Sequence, residues 1–256
     1  MSTGPQPFNY TERMARAEAI AAQFRARFEK KVRAIGLYGS LARGTDGPYS
    51  DIEMFFIIKG RGFEENYEWC EGSWKAEVNV LSLDILQANA AEFDETWPLT
   101  HGAYVHVLAL YDPENIFPAL KELVFGHDPQ EFEQLLADAI VWEVFETLGK
   151  IRNAASNDQY ETLPSKIIAL AEAGAYLVGL DNRQLYSTSS RIFSESLSLP
   201  NRPAGYDALC RAVMQGDLNE PARLLQLAEN FWQGIEAWAQ QHKLPVYRSL
   251  DELLGR

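Results

Sequence analysis

The residues best suited to chemistry lie between Gly39 and Glu53. Gly39 and Ser40 form a turn, a polar loop follows, and Asp51 and Glu53 then flank the apolar Ile52. On a strand, positions i and i+2 leave the same face, so these carboxylates project side by side. Their repulsion is relieved when a cation sits between them, and Mg²⁺ suits the place because it binds carboxylate, water and phosphate oxygens. A strand ending in Gly-Ser offers backbone N–H groups and a hydroxyl to phosphate oxygens. Glycine lets a phosphate approach the main chain closely, and Arg43 supplies a planar fork for the same oxygens. Ser50, just before Asp51, adds another hydroxyl. Gly39, Ser40, Arg43 and Ser50 are thus candidate nucleotide-binding residues, and Asp51 and Glu53 candidate ligands of the metal that travels with a triphosphate. Taken singly, Asp-x-Glu is most often a pair of solvated acids and Gly-Ser an ordinary turn. Their closeness in the chain points to phosphate chemistry.

Short apolar strands must position these groups. Val32 to Tyr38 is apolar, partly β-branched and ends at Gly39, which predicts a buried strand. Ile52 to Ile58 predicts a second one, with the run Met54-Phe55-Phe56-Ile57-Ile58 buried beyond the acidic pair, so the pair sits at the strand's mouth. Leu41 to Ser50 reads as mainly loop. Trp74 to Leu81 alternates, with Trp74, Ala76, Val78 and Val80 on one side and Lys75, Glu77 and Asn79 on the other. If that strand pairs beside Ile52–Ile58, Glu77 completes a metal cluster with Asp51 and Glu53. A cross-strand ion pair or an ordinary surface charge is an equally good reading of Glu77. Thr11 to Lys31 and Leu83 to Phe93 read as helices, and Val105 to Leu110 as a strand.

The pattern changes after Gly126-His127-Asp128-Pro129. Glu131–Arg152, Pro164–Leu180, Tyr206–Met214 and Glu220–His242 all have helical periodicity, and Asp128 with Pro129 makes an N-cap and first-turn pair. The expected organisation is an α+β domain over 1–127 and a helical domain over 128–256. Within Glu131–Arg152, the residues Glu143, Glu146 and Lys150 at i, i+3 and i+7 share one face. By itself this is a surface Glu–Lys pair worth only about 0.2–0.5 kcal/mol.

Composition narrows the partners. The chain has 256 residues, a formal net charge of −13, and is 46% hydrophobic and 12% aromatic. It can bury a substantial core. The charge argues against a nucleic-acid backbone as ligand, which calls for clustered Lys and Arg. It suits a cationic small substrate, although many cytoplasmic proteins are acidic for solubility alone. No window approaches the roughly 20 apolar residues of a membrane helix, so no membrane association is expected. The N-terminus lacks the features of a signal peptide. Two distant cysteines, Cys70 and Cys210, fit a reduced cytoplasmic protein without a structural disulfide.

Gly-Ser, a spacer, Asp-x-Glu and a later strand acid resemble the minimal nucleotidyltransferase fold shared with DNA polymerase β. A closer resemblance is carried by Ala34-Ile35-Gly36-Leu37-Tyr38-Gly39-Ser40-Leu41, Thr45-Asp46-Gly47-Pro48-Tyr49-Ser50-Asp51-Ile52-Glu53-Met54, Trp97-Pro98-Leu99-Thr100-His101-Gly102 and Glu229-Asn230-Phe231-Trp232. These stretches are similar to the kanamycin nucleotidyltransferase family of aminoglycoside 4'-O-nucleotidyltransferases, from about Thr11 to about His242. The resemblance implies a polymerase β-like domain with a mixed sheet followed by a helical bundle. It implies transfer of AMP from Mg²⁺-ATP to an aminoglycoside hydroxyl, with Glu146 as general base and Lys150 approaching the α-phosphate and the antibiotic. Glu53, Glu68, Glu77 and Glu146 match carboxylates near the antibiotic, and Lys75, Glu95 and Glu143 join that acceptor set. It also implies a homodimer with shared active sites, Glu146 and Lys150 of one subunit serving Asp51 and Glu53 of the other. Trp142 and Thr96 stand where the family has acids, which leads us to expect a subclass restricted to the 4' hydroxyl and unable to use 4''. The other acceptors weighed are a lincosamide, a protein hydroxyl or an RNA end. A non-catalytic nucleotide-binding partner is the remaining reading, and the intact acidic and basic positions argue against it.

Overall fold

The computed structural model describes residues 4–255. In chain order the elements of the first half are α1 (Tyr10–Phe28), β1 (Val32–Leu37), α2 (Gly39–Arg43), β2 (Ile52–Ile58), β3 (Glu64–Glu71), β4 (Trp74–Ser82), α3 (Leu83–Ala90), α4 (Trp97–Thr100), α5 (Gly102–Val105), β5 (Leu108–Tyr111) and α6 (Ile116–Val124). The second half holds α7 (Pro129–Ala139), a π-helical stretch (Ile140–Phe145), α8 (Glu146–Ser156), α9 (Leu163–Asp181), α10 (Ile192–Ser196), α11 (Tyr206–Gln215), α12 (Pro221–His242) and α13 (Leu250–Leu253). Two compact units result. One comprises the chain up to Glu92 with Thr100–His127; the other comprises Phe93–Leu99 and the chain from Asp128 onward.

The first unit is built on a mixed sheet in the order β3-β4-β2-β1-β5, with β2 and β4 parallel and every other pair antiparallel. β2 lies in the middle and is apolar on both sides, as a strand covered on both faces must be. Ala17, Ile20 and Ala21 of α1 pack on one face against Ile35, Leu37, Met54, Phe56, Val78 and Val80. The residues between these on β2, Glu53 and Phe55, point to the opposite face. α1 starts at a reciprocal cap in which Asn9 and Glu12 each accept the other's backbone N–H at 2.9 Å.

The four strands predicted from sequence are present, Ile52–Ile58 with the expected bounds and the other three with differences at their ends. Tyr38 precedes a one-turn helix, α2, that occupies the start of the segment expected to be loop. The strand expected over Val105–Leu110 begins only at Leu108, because Gly102–Val105 is helical. β3 was not predicted. It pairs with β4 alone, and only Tyr67 and Trp69 along it are half-buried, so an edge strand of this kind carries no apolar alternation. α6 was also missed. Its first turn contains Pro118, and Asp112 caps it by accepting the Ile116 and Phe117 N–H groups at 2.8 and 3.0 Å.

In the second unit α7 begins at Asp128, whose carboxylate accepts the Gln130 and Glu131 N–H groups at 2.7 and 3.0 Å, with Pro129 in the first turn. α9 is the central helix and packs against α7, α8, α10, α11 and α12. This corrects one sequence expectation. Tyr160–Asp181 is a helical stretch of 22 residues containing an 18-residue window of mean hydropathy 1.3, long and apolar enough to cross a membrane by length and composition. Much of it is core: Ile167, Leu170, Ala171, Ala175, Leu177 and Val178 are all buried inside the helical unit. The segment Phe93–Leu99 joins this unit for a similar reason. The Phe93 and Trp97 rings meet Phe132 at 4.7 and 5.5 Å, and Pro98 C=O accepts the Tyr186 N–H at 2.6 Å.

Candidate active site

The acidic pair stands where β2 begins. Gly39 opens α2 with φ +69°, a left-handed conformation that favours glycine. The close approach matters as much as the angle. A methyl at Gly39 would lie within the van der Waals radius of Glu53 Oε2 and 2.7 Å from its carboxyl carbon. The glycine is thus what allows the Glu53 carboxylate to rest against the backbone at the helix start. Tyr38 N–H donates to the Glu53 C=O at 3.0 Å, locking β1 to β2 at the same point.

Pair registry carries the acidic row across the sheet. Glu53 faces Glu77, and Glu77 faces Glu68 on the edge strand. Burial, then the charges of Asp51 and Glu77, push the Glu53 carboxyl up to about 7, while Arg43 and Lys75 pull it down. Lys75 sits on the same face. Its ammonium contacts Glu68 at 2.7 Å and Asp51 at 3.4 Å, and the Glu68 hydrogen bond, then Asp51, hold it protonated.

Glu77 has other partners. Its Oε1 accepts from Tyr38 Oη at 3.2 Å, Asn66 Nδ2 at 3.1 Å and Asn79 Nδ2 at 2.8 Å. Asn79 also donates to Tyr38 Oη at 2.9 Å. Burial, with Glu77 and Glu53 beside it, raises the Tyr38 phenol far above its ordinary value, so it stays a donor. Among the described residues no three His, Cys, Asp or Glu side chains converge as a metal-holding group. Asp51 and Glu53 stand as a pair at the start of β2, while Glu77 of the expected triad is held in an amide–phenol network. A pair is what Mg²⁺ needs, because it usually takes one or two carboxylates together with waters and substrate phosphates. Burial and the neighbouring carboxylates raise Glu53 despite Arg43 and Lys75, which a bound cation would relieve, and the donor set is all hard oxygen. The residues fit the ion.

Ser40 lies in the first turn of α2 and Arg43 in its last. Ser50 is half-committed: its Oγ accepts the Gly47 N–H at 3.0 Å, leaving its own proton to donate. One residue that sequence reasoning missed organises this loop. Arg13 of α1 is buried, pairs with Asp46, and donates to the carbonyls of Phe8, Gly47, Pro48 and Ser50. A lone arginine in an amphipathic helix gives no signal in sequence, because its partners are carbonyls about 35 residues away.

The remaining predicted site residues belong to the helical unit. Lys150 Nζ meets Glu146 Oε1 at 2.6 Å in an exposed i,i+4 pair on α8. Immediately before Glu146 the helix widens into its π stretch, a feature common at functional sites. That wider turn leaves Trp142 and Phe145 about half exposed, while Val144 and Leu148 are buried. The Phe145 ring meets Trp232 edge-on at 5.4 Å. Glu95 and Glu143 lie near Tyr176, whose phenol is raised by burial and then by Glu172, Glu143, Glu95 and Asp94. Asp94, Glu172 and Tyr176 were not singled out from sequence. Thr96, by contrast, is turned onto Asp94, its Oγ1 donating at 2.7 Å.

Comparison with known proteins agrees with this geometry. A nucleotidyltransferase domain model matches residues 18–103, and the KNTase C-terminal domain model matches residues 114–245. Two relatives, each described as an aminoglycoside nucleotidyltransferase (4'), come from a Bacillus species and from Staphylococcus aureus. Each is 39% identical over 93% of this chain and 94% of its own length. A crystal structure of a nucleotidyltransferase-like protein from Exiguobacterium sibiricum shares the fold at TM-score 0.52 and 12% identity, covering 94% of this chain and 80% of its own. With both halves matched in order and the relatives aligned almost end to end, this chain belongs to the kanamycin nucleotidyltransferase family and is a nucleotidyltransferase.

Proposed function

We propose that the chain transfers AMP from Mg²⁺-ATP to the 4'-hydroxyl of aminoglycosides such as tobramycin, kanamycin and amikacin, releasing pyrophosphate and so conferring resistance. The observation that carries this reading is the acidic row Glu53–Glu77–Glu68 running from the nucleotide end of β2 to the sheet edge. A triphosphate gripped at Gly39–Ser40 would be strongly anionic, and a row of carboxylates next to it suits a second substrate bearing several ammonium groups. The two relatives named as 4' enzymes support the choice of hydroxyl.

In this reading Ser40, Arg43, Ser50 and the first backbone N–H groups of α2 hold the phosphates. Glu146 takes the proton from the 4'-hydroxyl, whose oxygen attacks the α-phosphorus. The bond from that phosphorus to the bridging oxygen breaks, and pyrophosphate leaves. Lys150, paired with Glu146 at 2.6 Å, places positive charge where the α-phosphate gathers negative charge. Asp51 and Glu53 would hold Mg²⁺, which would supply neutralisation of the charge on the attacking and leaving oxygens. Glu68, Glu77, Lys75, Glu95 and Glu143 orient the antibiotic. We further propose a homodimer in which Glu146 and Lys150 of one subunit serve Asp51 and Glu53 of the other. A cytoplasmic setting suits the two unpaired cysteines. The test is the product. Mass spectrometry and NMR of kanamycin incubated with enzyme and Mg²⁺-ATP should show one AMP esterified at the 4' oxygen. Unmodified kanamycin would refute the substrate class.

A further inference from the structure

Among the described residues Arg13 is the most completely buried charged residue, at 2% exposed. It leaves α1, a helix whose other buried residues are apolar. Its Nη1 pairs with Asp46, itself almost fully covered. Its Nη2 reaches the carbonyls of Phe8 at 2.9 Å, Gly47 at 2.9 Å and Pro48 at 3.0 Å, and its Nε reaches the carbonyl of Ser50 at 3.0 Å. The Ser50 carbonyl belongs to the peptide unit that joins Ser50 to Asp51, so this bond sets the plane from which the Asp51 side chain departs. The chain preceding α1 is tied in as well, through Phe8 N–H to the Pro48 C=O at 2.8 Å. Asp46 to Ser50 has no secondary structure of its own beyond a turn. Guanidinium hydrogen bonds supply the rigidity that a helix or ladder would otherwise provide.

We propose that Arg13, through Asp46 and the 47–50 carbonyls, is the positioning residue that fixes Asp51 and Ser50 for the metal–nucleotide complex. It touches neither substrate. This inference rests on the nucleotidyl-transfer reading for the identity of what Asp51 holds, but its structural half does not. Lysine cannot replace arginine here, because a single ammonium cannot span carbonyls arranged around a planar fork.

The experiment compares wild type, Arg13→Lys, Arg13→Gln and Asp46→Asn with Asn9→Ala, which weakens α1 at its cap without touching the loop. The quantities read 20 °C below each variant's melting point are hydrogen exchange of the 46–51 amides, Mg²⁺-dependent binding of a non-hydrolysable ATP analogue by calorimetry, the Mg²⁺ activation midpoint, and the KM–kcat split for Mg²⁺-ATP and for the aminoglycoside. The three loop variants should exchange residues 46–51 at least tenfold faster and bind the analogue at least tenfold more weakly. Their Mg²⁺ activation midpoint should rise tenfold or more, with the aminoglycoside KM within about twofold of wild type. Asn9→Ala should lose melting temperature alone. If Arg13→Gln fails to fold, Arg13→Lys and Asp46→Asn decide. Loop variants with lower melting points but unchanged exchange, analogue affinity and Mg²⁺ midpoint would overturn the proposal. Exchange and binding that change as expected, in a wild type that shows no transfer to any aminoglycoside, would uphold it while refuting the acceptor.

Discussion

Gly39→Ala separates the local geometry of the site from general stability. The substitution has two separable consequences. Forcing alanine to φ +69° costs about 1–2 kcal/mol of folding free energy. The new methyl also stands 2.7 Å from the Glu53 carboxyl carbon, where non-bonded carbons rest at about 3.5–4.0 Å. The carboxylate must therefore withdraw by about 1 Å, and a misplacement of that size near a reacting centre costs about 10²-fold in rate. Gly216 supplies the control. It caps α11 at φ +68° with open space around it, so Gly216→Ala meets the same backbone cost and no steric one. Chemical denaturation should show both variants destabilised by a similar 1–2 kcal/mol. Pyrophosphate release with Mg²⁺-ATP and tobramycin should fall about 10²-fold for Gly39→Ala and stay near wild type for Gly216→Ala. Equal activity in the two variants would refute the claim that Gly39 exists to seat Glu53.

Other expectations follow from single groups. Folding raises the Glu53 carboxyl from 4.5 to about 7, so the folded metal-free protein takes up a proton between those values. Its stability is full below pH 4.5 and declines as pH rises through about 7. At about 1.4 kcal/mol per tenfold change in proton affinity, up to about 3 kcal/mol is lost. Urea titrations at pH 5 and 8 measure this, and millimolar Mg²⁺ should restore stability at pH 8; a flat profile would contradict the raised Glu53 carboxyl. Burial pushes the Cys210 thiol up to about 11 whereas Cys70 is exposed, so a thiol reagent at pH 8 should modify one cysteine quickly in the native protein and two after unfolding. Glu146→Gln should lower turnover by about 10²–10⁴-fold while calorimetry shows unchanged affinity for a non-hydrolysable ATP analogue. Normal turnover in that variant would remove Glu146 from the role of base.

The sequence made the inner strands legible because β2 and β4 are constrained on their faces. Ile52–Ile58 is apolar throughout, and Trp74–Ser82 alternates until it enters the core. Asp51 and Glu53 could be placed at a strand mouth from that alone. β3 was invisible because its residues satisfy one neighbour and otherwise face outward. The fate of Glu77 was equally beyond sequence, since it depends on Tyr38, Asn66 and Asn79 from three different strands or their ends meeting one oxygen. The π stretch before Glu146 also escaped, because an i→i+5 turn inside a long helix leaves its composition unchanged. Arg13 shows the limit most clearly. Its residue type suggests an exposed helix position, and only the fold brings the loop carbonyls around it.

The most direct measurement of the central claim is pyrophosphate release from Mg²⁺-ATP with tobramycin, which offers a 4' hydroxyl, beside dibekacin, which lacks it but keeps 4''. Release with tobramycin and none with dibekacin is the predicted result, and it would mark Trp142 and Thr96 as features of a 4'-restricted enzyme. Release with both would contradict that restriction, and release with neither would contradict the assignment of an aminoglycoside as acceptor.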